Sequence, residues 1–412
     1  MGKQVVVIGA GIVGCSAALW LQRDGHQVTI LDKSGPGEGA SKGNAAVIAT
    51  ESCLPVAYPG ILWDVPRYLM DPLSPLAIRW SYLPKLAPWL MRFVGSSGKA
   101  TYEQTSIALR SILTEALAAH KELAAAAGCR DIIQETGWLG IYESDAKFQS
   151  VQSDFEIQRR RGIKIEILKG EEIRQFEPSL QPIYKHAAYF PENAYVLDNF
   201  RLVQKLAEDV ARNGGKVATD EVVDFEIGAA GPSAVIGRNG RYACDAVVVT
   251  AGAWSRKLSG LLGENVPLET ERGYHVTLPH AQKRPRMPLY SGDHSFAITP
   301  LDIGLRFAGT VELGGLDLPP NPARNQILIE HGKRMFGELD ERDRSDWMGF
   351  RPSMPDSKPV IDRGRRFKNT FFAFGHGHVG LTLGPITGKL IAELVSNRQP
   401  SVDLKPFAVD RF

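Results

Sequence analysis

At 412 residues with 43% hydrophobic content, the chain is too long for one small core and long enough to build two domains with ample buried apolar surface. Its 48 lysines and arginines nearly balance its 46 aspartates and glutamates, for a formal charge of +2. That excludes the basic footprint of a nucleic-acid binder and points to a small-molecule partner. Cys15, Cys53, Cys129 and Cys244 share no C-x-x-C spacing, so neither a zinc site nor a disulfide framework is expected, and a reducing cytoplasm fits.

The chain opens with "KQVVVIGAGIVGCSAALWLQRDGHQVTILD". An apolar strand breaks at glycines, a helix follows and ends at Asp24 and Gly25, and a second strand resumes. The glycines and the complete βαβ spacing argue against a cleaved signal peptide. Such a unit holds a dinucleotide. In the turn Gly9, Ala10, Gly11, Ile12, Val13 and Gly14, the first glycine permits the bend and the second lets the backbone approach a pyrophosphate. The third lets the helix pack on the strand, and free N–H groups at the helix start face the phosphates. Asp32, 18 residues after Gly14, ends the second strand where an acidic side chain accepts hydrogen bonds from a ribose. The stretch that follows, Lys33 to Ala49, offers small residues for a flat ring and no immediate third strand, which favours FAD over NAD.

Further along, Thr101 to Gly128 is rich in helix formers, and "DNFRLVQKLAEDVARNGG" forms another helix with Asp198 as N-cap and Gly214 and Gly215 at its end. "KVATDEVVDFEI" and "YACDAVVVTAGAWS" read as strands returning to the nucleotide domain. Alternating stretches from Leu261 to Met348 predict an antiparallel sheet. Finally "FFAFGHGHVGLTLGP" repeats the strand, glycine turn and helix of the N-terminus, and would place a helix start against a charged ring. His376 and His378 have no acidic or cysteine neighbour in sequence, so no metal is expected.

The motifs "VVVIGAGIVG", "GNAAVIA", "VVVTAGAWS", "GFRPSMPDSKPVI" and "FGHGHVGLTLGP" occur in that order, and the chain resembles the FAD-dependent D-amino acid oxidase superfamily. Within it, the sequence is most similar to the bacterial D-amino acid dehydrogenases and their D-hydroxyproline-oxidising relatives. The resemblance implies an α/β fold with a discontinuous Rossmann-like FAD domain and an α+β substrate domain on a mixed or antiparallel sheet. Residues 1–58, 196–260 and 349–412 would form the FAD domain; residues 59–195 and 261–348 would form the helical insertion and substrate domain. It also implies FAD contacts at Lys33, Ser41, Asn44, Ala45, Ala46 and Val47, at Val223, Ala251, Gly252 and Trp254, and at Gly377, His378, Val379, Gly380, Leu381 and Thr382. Lys42 departs from the small or aromatic residue common in relatives.

By the same resemblance, Arg351 of the "FRP" motif is the substrate-carboxylate ligand, a role that suits a bidentate guanidinium. Tyr274 and His275 would lie on the substrate-facing strand, where alternation admits only one of them, with Tyr274 favoured. His378 would border the pocket; Arg306, His294 and Tyr58 are weaker candidates. The expected reaction is removal of the α-hydrogen of a D-amino acid, possible substrates including D-proline and D-hydroxyproline. The alternatives are an oxygen-using glycine, sarcosine or D-amino acid oxidase, and a flavin-holding subunit of a larger complex. A quinone or respiratory chain would accept the electrons, with oxygen the alternative. Residues 58–93, rich in tryptophan, proline and arginine, are a candidate peripheral contact on the inner face of the membrane, while the prolines argue against one long amphipathic helix.

Overall fold

The computed structural model describes residues 2–61, 63 and 76–412. A six-stranded sheet carries the dinucleotide half. Its order is Lys216–Thr219, Gln27–Asp32, Gln4–Ile8, Ala246–Val249, Thr370–Phe374 and Val360–Arg363. All neighbours are parallel except the last pair. Strands distant in sequence thus meet in one sheet, and the near-continuous valine runs at its centre are buried on both faces.

The helices Ile12–Arg23 and Gly380–Val395, from opposite ends of the chain, pack against each other. Small residues make the approach possible. A Cβ at Gly388 would lie 2.6 Å from the Ala17 nitrogen, and one at Gly384 would lie 2.7 Å from Ile12 Cγ1. Pro385 lies inside the second helix and has no N–H to give the Leu381 carbonyl one turn earlier. His120 supplies the missing donor: its Nε2 lies 2.8 Å from Leu381 O, and burial lowers its pKa to about 4, so the ring is neutral and carries its proton on Nε2.

A nine-stranded mixed sheet forms the second half. Its main path runs from Ser345–Ser353 through Glu269–Leu278, Gly304–Leu313, Phe296–Leu301 and Leu289–Ser291 to Trp138–Tyr142, His186–Phe190 and Glu166–Lys169. Leu76–Ile78 joins at Gly304–Leu313. The strand Ser345–Ser353 crosses the expected 348/349 boundary, because its full length pairs with Glu269–Leu278. The helix Ala323–Phe336 covers one face of this sheet, and the other face meets the dinucleotide half.

Other elements meet, refine or correct the expectations. The stretch from Thr101 to Gly128 is two helices, Lys99–Leu113 and Ala116–Ala126. Val222–Gly228 does not join the dinucleotide sheet but pairs with Gly231–Gly237 in a separate three-stranded sheet. Asp198 caps the helix Asn199–Arg212 through the N–H groups of Phe200 and Arg201, at 3.0 and 2.9 Å. In the 58–93 segment, part of which lies outside the described residues, Pro88 sits within the helix Leu83–Gly95 without ending it. Its inner face packs Leu86 and Trp89 on Leu313, while Trp80 and Met91 are 66% and 69% exposed. No helix among the described residues is long and apolar enough to cross a membrane.

Candidate active site

Between the two halves runs a cavity of about 740 Å³, a size suited to a large cofactor with a small substrate. Gly9, Gly11, Ile12 and Val13 line one end, and Gly377, His378, Gly380 and Leu381 line another part of the wall. The packing of the two terminal helices therefore brings both glycine turns to one chamber.

At the first turn, Gly9 has φ +108°, and its N–H donates to Leu31 O at 2.7 Å. Gly14 faces away from the cavity: a Cβ there would lie 1.8 Å from Gly9 O. Gly11 is different. The nearest atom to a Cβ at this position is Ser41 Oγ at 3.2 Å, so the space it leaves open belongs to the cavity and not to the packing of the protein. Ser41 Oγ accepts from Ile12 N at 3.0 Å, fixing the next loop to the helix start. Ala10 is not in the wall; its N–H donates to Asp32 Oδ2 at 2.8 Å. Asp32 Oδ1 accepts from Ser34 and Gly35 N–H at 2.8 and 3.1 Å, which holds the carboxylate at the cavity edge.

Asn44, Ala45, Ala46 and Val47 line the cavity as a continuous stretch. Asn44 Oδ1 accepts from Ala46 N at 2.8 Å and holds Ala46 at φ +57°. Arg306, fully inside the protein, supports this loop from behind by donating to Asn44 O at 2.9 Å and Asn199 Oδ1 at 3.1 Å. It is a brace, not a wall residue. Lys42 points away and pairs with Glu38 at 2.9 Å. Lys33, Ala251, Gly252 and Trp254 also line the cavity, with Lys33 Nζ 3.3 Å from the centre of the Trp254 ring. Val223 does not: a register shift between Val222 and Asp224 turns Val222 to the cavity instead. Val379 is core, and Thr382 Oγ1 accepts from Ala49 N at 3.0 Å, so both support the second turn from outside the wall.

The remaining wall is the open face of the nine-stranded sheet. Arg351 comes from Ser345–Ser353 and lies flat across Gly273 of the neighbouring strand. A Cβ at Gly273 would sit 2.5 Å from Arg351 Nη2. Nη1 donates to Thr310 O, one strand further, at 3.1 Å. Gly273 falls at an irregularity between the pairs Arg272–Glu312 and Tyr274–Gly309, and Thr310 beside it adopts φ +56°. The bulge turns the Thr310 carbonyl toward the guanidinium. Burial lowers the Arg351 pKa, and the charge of Glu271 opposes that shift. His378 lines the cavity with its side chain exposed there. Burial, with Arg351 adding, pushes its pKa down to about 4, so the ring is neutral at pH 7.

Two expectations on the central strand are corrected. Tyr274 touches the cavity wall, but its hydroxyl lies on the far face of the sheet, 3.2 Å from Glu312 Oε1, and accepts from Asn321 N at 3.0 Å. Alternation puts Glu271, Gly273 and His275 on the near face. His275 lies beyond the cavity, its Nδ1 2.8 Å from Gly43 O and its ring stacked on Trp347. With its pKa lowered to about 3 by burial, it is neutral and donates to that carbonyl. His294 stacks on His331 away from the wall, and Tyr58 is also absent from it. Glu271, Thr310 and the aromatic residues Trp138, Tyr290, Phe296 and Phe350 line the cavity without having been singled out from sequence. For Glu271 the signal was available, two positions before Gly273 on the same face. No cluster of metal-ligating side chains occurs among the described residues.

A family model described as FAD dependent oxidoreductase (DAO) matches residues 4–394. A protein of Bradyrhizobium diazoefficiens named D-amino-acid oxidase is 40% identical, the match covering 100% of this chain and 99% of that protein. One of Paramagnetospirillum magneticum named D-amino acid dehydrogenase is 29% identical, over 99% of each. Among solved structures, glycine oxidase from Geobacillus kaustophilus superposes with a TM-score of 0.77 at 21% identity, covering 100% of this chain and 99% of that one.

Proposed function

The chain belongs to the DAO family of FAD-dependent oxidoreductases, and from that premise we propose that it oxidises D-amino acids at the carbon bearing the amine. The observation that carries the reading is Arg351, a guanidinium held flat in the wall of the cavity by Gly273 and Thr310. The open space at Gly11 and the continuous lining fit FAD. Gly9, Gly11 and Val13 would hold its pyrophosphate, Asp32 its ribose, Asn44 to Val47 the path of its ring system, and Gly377 to Leu381 the carbonyl edge of the ring. When bound, FAD supplies the two-electron acceptor for the α-hydrogen.

In this reading Arg351 binds the substrate carboxylate in a bidentate fork and so fixes the α-carbon. Neutral His378, beside Arg351, adds a hydrogen-bonding edge without a second positive charge. Trp138 and Tyr290, whose ring centres lie 5.4 Å apart, give the side chain an apolar, aromatic wall, which accommodates a ring such as that of D-proline or D-hydroxyproline. The imino acid formed hydrolyses to a 2-oxo acid or, from a ring amine, stays a cyclic imine. A dehydrogenase passing electrons to a quinone or respiratory chain is the first reading. The name of the 40% identical relative favours oxygen as the second. Exposed Trp63, Trp80 and Met91 support peripheral contact with a membrane surface as part of the first.

The test is Arg351→Ala in the FAD-loaded protein. Loss of a charge-assisted pair predicts a rise in substrate KM of about 10- to 100-fold. Unchanged KM and kcat would overturn the carboxylate clamp and favour a flavin-holding subunit.

A further inference from the structure

The cavity holds a carboxylate that the reading above does not use. Glu271 stands directly opposite Arg351 in the strand register, yet Arg351 crosses Gly273 toward Thr310, and Glu271 bonds to Ser353 instead. Behind it lies a second chamber of about 20 Å³, the size of one water molecule. Glu271 lines both chambers. So do Ser52, His376 and His378, while Ser353 and Ser357 line the small one only. The small chamber therefore offers the several polar partners that a buried water needs.

An amino acid reaches such a site as a zwitterion, and its α-hydrogen leaves readily only after the ammonium group has lost a proton. Arg351 takes the carboxylate; the ammonium needs an acceptor on the same side of the cavity. We propose that Glu271 is that acceptor and passes the proton to the small chamber behind it. One N–H bond of the ammonium breaks, its electron pair stays on nitrogen, and an O–H bond forms on Glu271; no electrons change hands in this step. The proton then moves to water in the small chamber, and the carboxylate is restored.

The charged and titratable groups facing Glu271 are Arg351 from its neighbouring strand and His376 and His378 from the glycine turn. The segment 52–56 and the helices Leu83–Gly95 and Lys99–Leu113 present Ser52, Leu54, Val56, Phe93 and Leu109. Burial raises the Glu271 pKa and Arg351 only partly opposes it, which makes the carboxylate a better base than one in water. Both histidines are neutral at pH 7, with pKa values lowered to about 3 and about 4, so they add no competing charge.

This inference rests on the amino-acid reading, and the experiment separates the two. Anaerobic rapid mixing of FAD-loaded protein with D-alanine and D-proline gives the rate of flavin bleaching as a function of pH, for wild type and for Glu271→Gln. The wild type is expected to hold its rate near pH 7, whereas E271Q falls about 100-fold there and recovers as the pH rises toward the pKa of the free amine. Benzoate, which has a carboxylate and no amine, should bind E271Q at least as tightly as wild type when followed by the shift in flavin absorbance, because the substitution removes a negative charge beside Arg351. Glu271→Asp keeps a carboxylate and should keep the wild-type pH profile at a lower rate. Parallel profiles for wild type and E271Q would overturn the role of Glu271 and leave the amino-acid reading standing. A wild-type protein bleached by no amino acid would overturn that reading, and this inference with it.

Discussion

Gly273→Ala tests how the sheet holds Arg351. The new Cβ would lie 2.5 Å from Nη2, 2.6 Å from Cζ and 2.9 Å from Nε, all well inside contact distance. The obstacle is the end of a flexible side chain, so the protein relaxes by lifting the guanidinium about 1 Å off the sheet. The strand itself is undisturbed, and replacing a strand glycine recovers backbone entropy. Stability should therefore change by less than about 1 kcal/mol. The bond from Nη1 to Thr310 O, 3.1 Å long, is broken by the same movement, and the fork no longer meets a carboxylate squarely. A misplacement of this size costs about 100-fold in turnover, and loss of the bidentate fit costs about 1.5–3 kcal/mol of carboxylate affinity. Benzoate binding by flavin absorbance and kcat/KM for D-alanine would measure both. Benzoate affinity within twofold of wild type would refute the claim that Gly273 positions Arg351.

Gly11→Ala should fold normally and lose bound FAD, because only Ser41 Oγ lies near its Cβ, whereas Gly14→Ala should fail to fold or lose several kcal/mol from a 1.8 Å clash with Gly9 O; thermal melts with flavin content distinguish the two. Tyr274→Phe removes hydrogen bonds to Glu312 and Asn321 on the far side of the sheet, so stability should fall by about 1–2 kcal/mol while substrate KM stays within twofold. Burial raises the Glu51 pKa from 4.5 to about 7. The folded protein therefore holds a proton there that the unfolded chain releases, and this stabilisation fades as pH rises through that window. Glu51→Gln should match wild type at pH 4 and exceed it by on the order of 3 kcal/mol above pH 8, as read from denaturant midpoints.

Local sequence carried the parts of the fold that are locally determined. The first βαβ unit, the Asp198 cap and the glycine turn near the C-terminus are each set by a few adjacent residues. Contacts between distant segments were not legible in the same way. Nothing near Pro385 announces that its orphaned partner, Leu381 O, is answered by His120 some 261 residues away. The spacing of Gly384 and Gly388 gains meaning only once the Ile12–Arg23 helix lies against it. At the site, alternation along Glu269–Leu278 separates Tyr274 from His275, yet neither brings its polar group to the cavity. The near face belongs to Glu271 and Gly273, and the buried pair Arg272 and Glu312 draws Tyr274 to the other. The residue at 223 was displaced by a single irregularity in strand pairing, which hydrophobic patterning does not encode.

The most direct measurement is an anaerobic titration of the FAD-loaded protein with D- and L-alanine, D-proline, D-hydroxyproline, glycine and sarcosine, following the flavin absorbance. The account predicts stoichiometric bleaching by D-amino acids and not by L-alanine, with the rate of recovery in air telling a dehydrogenase from an oxidase. A protein that carries FAD and is bleached by none of these compounds would contradict it.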